Sequence, residues 1–567
     1  MKKFLLIFLF LCSVRVSAQP KAFPGAEGFG ANVTGGRGGR VIYVTNLNDS
    51  GPGSLQEALN AEGKRTILFK VSGRINRTAE ILWGDVTIAG QTSPGGIIVR
   101  GLEADDMYND EGKSDNIIIR HIRSRPQTQG AYPMDMNYLS PDALRLDGAS
   151  NVIVDHCSFA NATDECVQIS NARNITIQNC MLAETIGEHY DLGGMLLNYS
   201  SADHPQDSIS IHHNIWNRIG GRFPELSCES PYCGERPLNI ELSNNLIWDQ
   251  NINIWYNSSI NPGEENNTFF LNLNWVNNRS VVRSGYGNGM MDANLLRFEK
   301  NSIFADGNTM SKYPAYSDYQ LFYCCNDFPD NAPNTDLGVA GRRTSRHNFP
   351  NITYTPNEEL QQYMTENVGA FHRDSMDRRL LKALANNAIE EIPLHIAGAE
   401  DAFITENTQT APTDTDSDGM PDYWEIANGL NPAQENNNNT DLSQKYTGVD
   451  GYTNLECYLN ALSDSLITGK QTFVTGIENE NTLLKEFSVY PNPMNLSATI
   501  SYSTHAGNVE MSIINTLGEN VMTFLKTHAD SGNYTIQFPT EFLPAGIYTV
   551  LFKNGDSFKT RSISIVH

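Results

Sequence analysis

Between about residues 40 and 310, the chain repeats one short pattern of apolar and polar positions. Each repeat is an Asn or Asp, or in one case a Ser, followed by an alternating β-branched run and a polar break. Five such repeats are NIIIRHIRSR from Asn116, NVIVDHCSFA from Asn151, NITIQNCMLA from Asn174, SISIHHNIWN from Ser208 and NIELSNNLIW from Asn239. The distance from Asn151 to Asn174 is 23 residues. The pattern therefore predicts many short strands at a nearly constant spacing.

Short strands at the spacing of one coil, with no amphipathic helix pattern between them, predict an all-β fold, a right-handed parallel β-helix. The Ile and Val side chains are expected to alternate inward, and the recurring Asn side chains to form ladders at the turns. A β-sandwich is the structural alternative. It would need tight hairpin turns such as Asn-Gly between the runs, and these are largely missing.

Residues 1–18 are predicted to be a secretory signal peptide. Lys2 and Lys3 precede the apolar run FLLIFLFLC, and small residues at 16–18 form a cleavage site. The mature chain is expected to begin at Gln19. No later stretch is long and apolar enough to predict a membrane span.

The rest of the chain divides by composition into four predicted units. Residues 19–400 form the β-helix domain, whose last part, from about 355, is more helical and charged and is expected to pack on the end or side of the coils. A calcium-binding helical segment follows at 412–465 and a linker at 466–486. Residues 487–567 are predicted to form a separate small β-sandwich.

The segment DTDSDGMPDYWE matches the calcium loop of an EF-hand. Acidic residues stand at loop positions 1, 3, 5, 9 and 12, and Gly419 stands at position 6, where the loop turns sharply. The predicted ligands are Asp414, Asp416, Asp418, Asp422 and Glu425. We expect this calcium to be structural, because the ligands leave no obvious reactive group. The stretch DGYTNLECYLNAL, from Asp450, is interpreted as the partner half of the segment.

The charge of the chain restricts its partners. With 40 Lys and Arg against 65 Asp and Glu, the net charge of −25 disfavours nucleic acid and anionic membranes and suits divalent cations. An acidic protein can still bind an acidic polymer where a cation and a few arginines reverse the local sign. Export would permit disulfides. Cys228 and Cys233 could close a short loop, whereas Cys157, Cys166 and Cys180 are interpreted as free interior residues.

Eight sequence blocks, in a fixed order, carry a family resemblance that covers roughly residues 22–250. They are AFPGAEGFGANVTGGRGG from Ala22, VTNLNDSGPGSLQEAL from Val44, VSGRI from Val71, VTIAGQTSPGG from Val86, DALRLD from Asp142, NVIVDHCSF from Asn151, TDECVQI from Thr163 and HHNIWNRIGGRFPEL from His212. Together they resemble the family 1 polysaccharide lyases, best known as pectate lyases. The resemblance implies a parallel β-helix and calcium-dependent β-elimination on an acidic polysaccharide.

The resemblance also implies a calcium site on the coils. The family's ligands are the Asp of a DAI-like motif and two acidic residues four apart on the neighbouring coil, which here are Asp142, Asp164 and Gln168. Gln168 offers an amide oxygen without charge, so the site would depend more on the substrate carboxylate, and Glu165 could compensate. A turn-capping role is the alternative for either aspartate taken alone. Asp155 matches the family's Asp-His pair and is expected to support the site structurally.

Arg222 falls at the Arg-x-Pro position of the family's catalytic arginine, which is proposed to take the C5 proton of the uronate. An arginine normally stays protonated, and neighbouring cations would disfavour its charge. The family's lysine and second arginine are replaced here by Gly187 and Ser227. The predicted substitutes are His189 and Arg236 for catalysis, and Arg218 and Arg236 for substrate binding.

The C-terminal unit has its own resemblance. FSVYPNP from Phe487, Gly518 and GIY from Gly546 resemble the sorting domain of type IX secretion cargo. The resemblance implies a partner, the type IX secretion machinery, and export through the outer membrane to the medium or the cell surface. A carbohydrate-binding or spacer module is the alternative.

Taken together, the sequence predicts a secreted, monomeric, calcium-dependent lyase that cleaves a polygalacturonate-type polymer. A lyase on another uronate polymer is the runner-up, favoured by the altered cationic residues. A glycoside hydrolase would use Asp142 and Asp164 as its carboxylate pair, but no second motif supports it. A non-catalytic surface glycan-binding protein is the remaining alternative, and the replaced lysine and arginine favour it.

Overall fold

The structure is a computed structural model. It describes residues 19–107, 113–126, 142–185, 193–219, 221–226, 228, 232–249, 269–282, 289–322, 341–388, 410–469, 487–492, 494–495, 497–504, 506–515, 520–540, 543–554 and 557–566. The predicted signal peptide, His189 and most of the predicted linker lie outside these ranges. Among the helices that the structure describes, none is long and apolar enough to cross a membrane.

The repeated runs form short strands between residues 40 and 310. They are β1 (Arg40–Val44), β2 (Arg65–Phe69), β3 (Gly73–Glu80), β4 (Val86–Ala89), β5 (Ile97–Asp105), β6 (Asp115–Arg120), β7 (Ile122–Ser124), β8 (Leu144–Asp147), β9 (Ser150–Asp155), β10 (Ser158–Ala160), β11 (Val167–Ser170), β12 (Arg173–Gln178), β13 (Met181–Ala183), β14 (Met195–Leu197), β15 (Asp207–His212), β16 (Ile215–Asn217), β17 (Glu225–Leu226), β18 (Leu238–Ser243), β19 (Leu246–Asp249), β20 (Leu271–Val276), β21 (Arg279–Val282), β22 (Ser302–Asp306) and β23 (Thr309–Met310).

These strands stack in parallel into three faces. The back sheet runs β1-β2-β4-β6-β9-β12-β15-β18-β20-β22. Strand β5 belongs to both other faces: its first half pairs with β7 in the side sheet, which continues β10-β13-β16-β19-β21-β23, and its second half pairs with β8 in the front sheet, which continues β11-β14-β17. Ser150 pairs with Arg173, one 23-residue coil later. The predicted parallel β-helix is confirmed.

Asparagines form a ladder inside the coils. The side-chain oxygen of Asn245 accepts from the backbone N–H of Asn214 at 3.2 Å, and Asn278 and then Asn308 repeat this bond on the next coils at 3.0 Å. A buried amide without partners would cost free energy, so satisfying each one from the next coil keeps the coils in register. The predicted asparagine ladder is confirmed. The structure also pairs Cys228 with Cys233.

The glycine-rich N-terminal segment lies across the outer face of the back sheet. Gly30 donates its N–H to Thr176 Oγ1 at 2.8 Å, and a Cβ at this position would lie 2.6 Å from the carbonyl oxygen of Val152. Only glycine permits so close an approach of two backbones. The glycines of the first sequence block are therefore packing residues.

The structure describes seven α-helices: α1 (Leu55–Asn60), α2 (Asn294–Arg297), α3 (Leu360–Asn367), α4 (Ser375–Ala385), α5 (Asp422–Asn428), α6 (Ser443–Thr447) and α7 (Asn454–Thr468). Helices α3 and α4 cover the outer face of the side sheet, where Leu360 and Leu380 join a buried cluster with Ile215 and Trp248. The expectation that this helical part packs on the side of the coils is confirmed. Short 3₁₀ helices occupy Phe29–Asn32, Gly90–Thr92, Cys233–Glu235 and Asp318–Leu321.

Helices α5, α6 and α7, which we call the helical module, pack on the first coils of the back sheet. Trp424 and Tyr458 of the module form one buried cluster with Leu68 and Ala89 of the back sheet. The module therefore covers the back sheet at the N-terminal coils and, among the described residues, does not cover the front sheet there.

The C-terminal unit is built from antiparallel strands: β24 (Phe487–Tyr490), β25 (Ser497–Thr504), β26 (Gly507–Ile514), β27 (Asn520–Ala529), β28 (Gly532–Pro539), β29 (Gly546–Asn554) and β30 (Ser557–Ile565). They form a sheet of order β24-β25-β28 and another of order β27-β26-β29-β30 among the described residues. Residues from both sheets, such as Ile500 and Val550, share one core. The predicted β-sandwich is confirmed.

From β6 onward, the corner after each back-sheet strand uses left-handed backbone, which favours Asn. Asn179, His213 and Asn244 occupy this corner on three successive coils, with φ between 50° and 55°. His213 is buried against Tyr363, and its Nε2 lies 3.0 Å from Thr355 Oγ1. Burial lowers the pKa of His213 to about 4.

Replacing His213 with Asn is expected to reduce the acid sensitivity of the fold. Because the folded pKa lies below the unfolded value of about 6.5, this histidine costs stability as the pH falls from 6.5 towards 4. At pH 5 the cost is about 2 kcal/mol, from about 1.4 kcal/mol per pH unit. The measurement is denaturant unfolding at pH 7 and pH 5. The exposed His528→Asn is the control, and an unchanged pH dependence in H213N would contradict this account.

Candidate active site

The starts of the front-sheet strands stack on successive coils. Backbone hydrogen bonds continue past the strand ends: Ala143 N–H donates to Glu165 O at 3.0 Å, Cys166 N–H to Gly193 O at 2.8 Å and Met195 N–H to Arg222 O at 2.8 Å. The segments that carry Asp142, Glu165 and Arg222 are thereby aligned along one edge of the sheet, although 80 residues separate the first from the last.

Three carboxylates meet at this edge. One oxygen each from Asp142, Asp164 and Glu165 lies within 4.8 Å of the others. Asp142 is 9% exposed, and its Oδ1 accepts from the backbone N–H of Glu165 at 3.0 Å. Burial, and then the like charge of Asp164, raise the pKa of Asp142 well above its usual range. Crowded hard oxygen donors fit a divalent cation such as calcium.

Arg222 lies against this acidic cluster. Its guanidinium contacts Glu165, and its Nε donates to Glu225 Oε2 at 2.7 Å. The side chain is 13% exposed, and the backbone is left-handed with φ of 62°. Arg222 therefore has two carboxylate neighbours, Glu165 and Glu225, where the resemblance implies cation-rich surroundings.

An outward row of side chains runs across the front sheet beside the cluster. Glu103, Arg145, Gln168, Leu196 and Glu225 are in register on strands β5, β8, β11, β14 and β17. Their inward neighbours, such as Leu144 and Leu146, lie in the core. The row therefore forms the outer side of the front sheet beside the acidic cluster.

Arg145 is a residue of this row that the sequence interpretation missed. Its Nη1 donates to Gln168 Oε1 and its Nη2 to Asp147 Oδ2, both at 3.1 Å, and its side chain is 31% exposed. The amide oxygen of Gln168, a predicted calcium ligand, thus accepts from an arginine in this structure. The signal was present in DALRLD, where strand alternation places Arg145 outward between two leucines.

The two other cationic candidates that the structure describes, Arg218 and Arg236, lie on other faces of the coils. Arg218 is 1% exposed, and its Nε lies 2.8 Å from Glu184 Oε1 at the corner after β16. Glu184 also pairs with Arg379 of α4 at 2.8 Å, so Arg218 belongs to the contact between the side sheet and α4. Arg236 is exposed just before β18 of the back sheet. His189 lies outside the described residues.

Asp155 is buried at the end of a back-sheet strand. Arg120 Nε and His156 Nδ1 lie 2.9 and 2.8 Å from its Oδ2, and Gln178 Nε2 donates to its Oδ1 at 2.9 Å. Burial alone would raise the pKa of Asp155, but His156 and Arg120 hold it well below the usual range. The residue thus fixes a buried ionic network, and it is not part of the front-sheet cluster.

A second acidic cluster lies in the EF-hand-like loop. Asp414, Asp416 and Asp418 each place a carboxylate oxygen within 4.8 Å of the others, and Gly419 turns the loop with φ of 103°. Burial, and then Asp418, raise the pKa of Asp416 to about 6, and burial is also the main cause that raises the pKa of Glu425 to about 7. The neighbouring carboxylates of the loop add to the effect of burial in both cases.

Asp422 differs from the other predicted loop ligands. Its Oδ1 accepts from the backbone N–H of Thr415, and its Oδ2 accepts from Thr415 Oγ1, both at 2.7 Å. Asp422 also begins α5. In this structure its carboxylate therefore links the end of the loop to Thr415 near its start.

Comparison with known proteins gives independent information on both parts of the chain. A probable pectate lyase C of Aspergillus fumigatus is 31% identical over 449 residues, which cover 78% of this chain and 94% of that protein. The probable pectate lyase C of Aspergillus oryzae is also 31% identical, over 455 residues with the same coverage. The family model of the secretion system C-terminal sorting domain matches residues 488–566.

Among solved structures, the cedar pollen allergen jun a 1 matches 61% of this chain and 92% of its own, with a TM-score of 0.39 and 15% identity. The sorting domain makes this an exported protein. With 31% identity to relatives that it covers almost completely, the chain belongs to the pectate lyase family of polysaccharide lyases.

Proposed function

We propose that this protein cleaves polygalacturonate by calcium-dependent β-elimination at the front-sheet cluster. The observation that carries the proposal is the contact of Arg222 with the crowded carboxylates of Asp142, Asp164 and Glu165. The relatives are named as pectate lyases, which makes polygalacturonate the first substrate to test. We further propose export through the outer membrane by the type IX machinery.

Elimination from a uronate needs three things: neutralisation of the carboxylate beside C5, removal of the C5 proton and departure of the C4 oxygen. Calcium held by Asp142, Asp164 and Glu165 would supply the positive charge that offsets the substrate carboxylate and acidifies the C5 proton. In this proposal the neutral form of Arg222, which remains after its guanidinium gives one proton to water, takes that C5 proton. The C5–H electron pair becomes the C4=C5 double bond, the C4–O bond breaks and the leaving oxygen takes a proton from water.

Glu165 links the cation site to Arg222. It contributes to the acidic cluster and also contacts the guanidinium. A carboxylate that also binds a cation attracts a neighbouring guanidinium less, so the contact between Glu165 and Arg222 would weaken when the cation site is filled. The contact with Glu225 would still hold the side chain in place. Proton transfer by Arg222 is thereby tied to an occupied cation site.

Arg145 is assigned a role in substrate binding. Its Nη atoms each donate one described hydrogen bond, and its buried Nε faces Glu103 Oε1 at 3.8 Å. A guanidinium has five N–H donors, so donors remain for a uronate carboxylate. Arg145 would then be the cation that faces the polymer, a role for which the sequence predicted Arg218, Arg236 and His189.

Replacing Asp142 with Asn is expected to raise the calcium concentration for half-maximal rate by about tenfold or more, because calcium affinity follows the charge of its ligands. The assay incubates the full chain with polygalacturonate over a calcium series and follows the ultraviolet absorbance of the unsaturated product. Gln168→Glu, which adds a carboxylate, should shift the requirement the other way. The exposed Asp49→Asn is the control.

Three outcomes would contradict the proposal. Formation of reducing ends without unsaturation would indicate hydrolysis. Turnover that a chelator leaves unchanged would reject calcium. Retained binding to uronate polymers without any turnover would favour the glycan-binding alternative, which the pairing of Arg222 with two carboxylates also supports.

A further inference from the structure

The EF-hand-like loop lies directly against the first coils. The hydroxyl of Tyr43, on β1, contacts the Oδ2 of Asp414. At the turn of the loop, a Cβ on Gly419 would lie 2.9 Å from Leu68 of β2 and 3.1 Å from Val41 of β1. The acidic loop is therefore part of the interface between the helical module and the back sheet.

One buried carboxylate of the loop is incompletely paired. Glu425 is fully buried, and its Oε2 has no hydrogen-bond partner among the described residues. Its Oε1 accepts from Asn436 Nδ2 at 3.0 Å, and the backbone N–H of the same Asn436 donates to Asp418 Oδ2 at 2.9 Å. Through Asn436, the carboxylate of Glu425 is held next to that of Asp418. A buried, unpartnered carboxylate oxygen beside other carboxylates points to a cation.

Two further oxygens of the loop are in the same state. Asp414 Oδ1 and Asp416 Oδ2 are buried and make no hydrogen bond within the described part of the chain. Asp422 is different, since Thr415 occupies both of its oxygens. The orphaned oxygens thus belong to three of the five acidic loop residues, Asp414, Asp416 and Glu425, while both oxygens of Asp418 accept backbone hydrogen bonds from Met420 and Asn436.

We infer that Asp414, Asp416, Asp418 and Glu425 bind a calcium ion that locks the helical module onto the first coils. Calcium accepts six to eight oxygen ligands and would satisfy the orphaned oxygens together. Since Tyr43 contacts one of these ligands, the ion connects the loop to β1. The lock is separate from the front-sheet cluster and does not depend on the proposed lyase activity.

The contacts that the lock would hold are both apolar and ionic. Met420, the residue after Gly419 in the loop, is fully buried with Leu68 and Ala89 of the back sheet. Arg37 Nε lies 2.7 Å from Glu456 Oε1 of α7, and Arg120 Nη2 donates to Ser463 Oγ at 2.9 Å. Loss of the ion would leave the repelling carboxylates at this interface, so the module should loosen without calcium.

The test is calcium titration by calorimetry on the full chain, with thermal unfolding and limited proteolysis in calcium and in chelator. In wild type, calcium is expected to raise Tm and protect the segment between α5 and α7 from cleavage. Glu425→Gln is expected to weaken calcium binding at this site at least tenfold and to lose the protection. The exposed module carboxylate Asp441→Asn is the matched control.

Misfolding can be told apart from loss of the ion. In chelator, Glu425→Gln should be at least as stable as wild type, because it removes a buried unpaired charge. Asp142→Asn should retain the protection, since Asp142 lies just before β8 of the front sheet, away from the helical module. Unchanged calcium affinity in E425Q would overturn the site, and unchanged proteolysis of the module despite lost binding would overturn the lock.

Discussion

Replacing Arg222 with alanine is expected to lower kcat on polygalacturonate by about 10²- to 10⁴-fold, the contribution typical of a positioned proton-transfer group. The measurement is the initial rate of unsaturated product at saturating calcium. The fold should persist, because the guanidinium lies at the sheet edge and not in the core. Arg40→Ala, an exposed arginine on β1, is the control for a general loss of positive charge.

The calcium dependence of this variant separates a chemical role from a structural one. Removing the guanidinium leaves Glu165 without that cationic contact, so the acidic cluster becomes more negative. We therefore expect the calcium concentration for half-maximal rate to stay the same or fall while kcat drops. A variant that needs more calcium and recovers full kcat would show that Arg222 only organises the cluster.

Replacing Asp377 with alanine is expected to destabilise the protein by about 3–5 kcal/mol, the cost of breaking a buried ion pair. Asp377 is fully buried in α4; its Oδ1 accepts from Arg125 Nη2 and its Oδ2 from Ser158 Oγ, both at 2.9 Å. Arg123 Nε lies 3.5 Å away. The variant would leave two buried arginines with Asp374 as their remaining carboxylate partner among the described residues.

Urea unfolding measures this effect, with the exposed Lys382→Ala at the end of α4 as control. Asp377→Asn should cost less than alanine because it keeps the shape. Burial and the neighbouring Asp374 raise the pKa of Asp377, which means that they disfavour its charged form. The neutral asparagine therefore avoids part of this cost. If D377A unfolded at the same urea concentration as wild type, the ion pairs would not hold α4 on the side sheet.

The coil pattern of the sequence predicted much of the front sheet. Period-two alternation places Arg145 outward and Leu144 inward whatever the neighbouring coils contain. The alignment of Asp142 with Glu165 was harder to predict. Glu165 follows Asp164 directly, and only the backbone bonds to neighbouring coils show that both carboxylates reach the cluster with Asp142.

The cationic residues show that closeness in sequence does not predict closeness in the fold. Arg218 is four positions from Arg222 and was predicted to act beside it. It lies instead at the corner after β16, where Glu184 and the distant α4 surround it. A β-helix turns from one face to the next within a few residues, so neighbours in sequence can belong to different faces.

By itself, the sequence determined the parallel β-helix, the acidic calcium-type loop and the C-terminal sandwich, because each follows from local periodicity or fixed spacing. Tertiary structure alone decided which side chains share a site. The pairing of Arg222 with Glu165 and Glu225, the exposure of Arg145 and the contact of Tyr43 with Asp414 all depend on how coils and module pack. Most such contacts join residues that are far apart in the chain, and a local sequence pattern cannot predict which distant residues will meet.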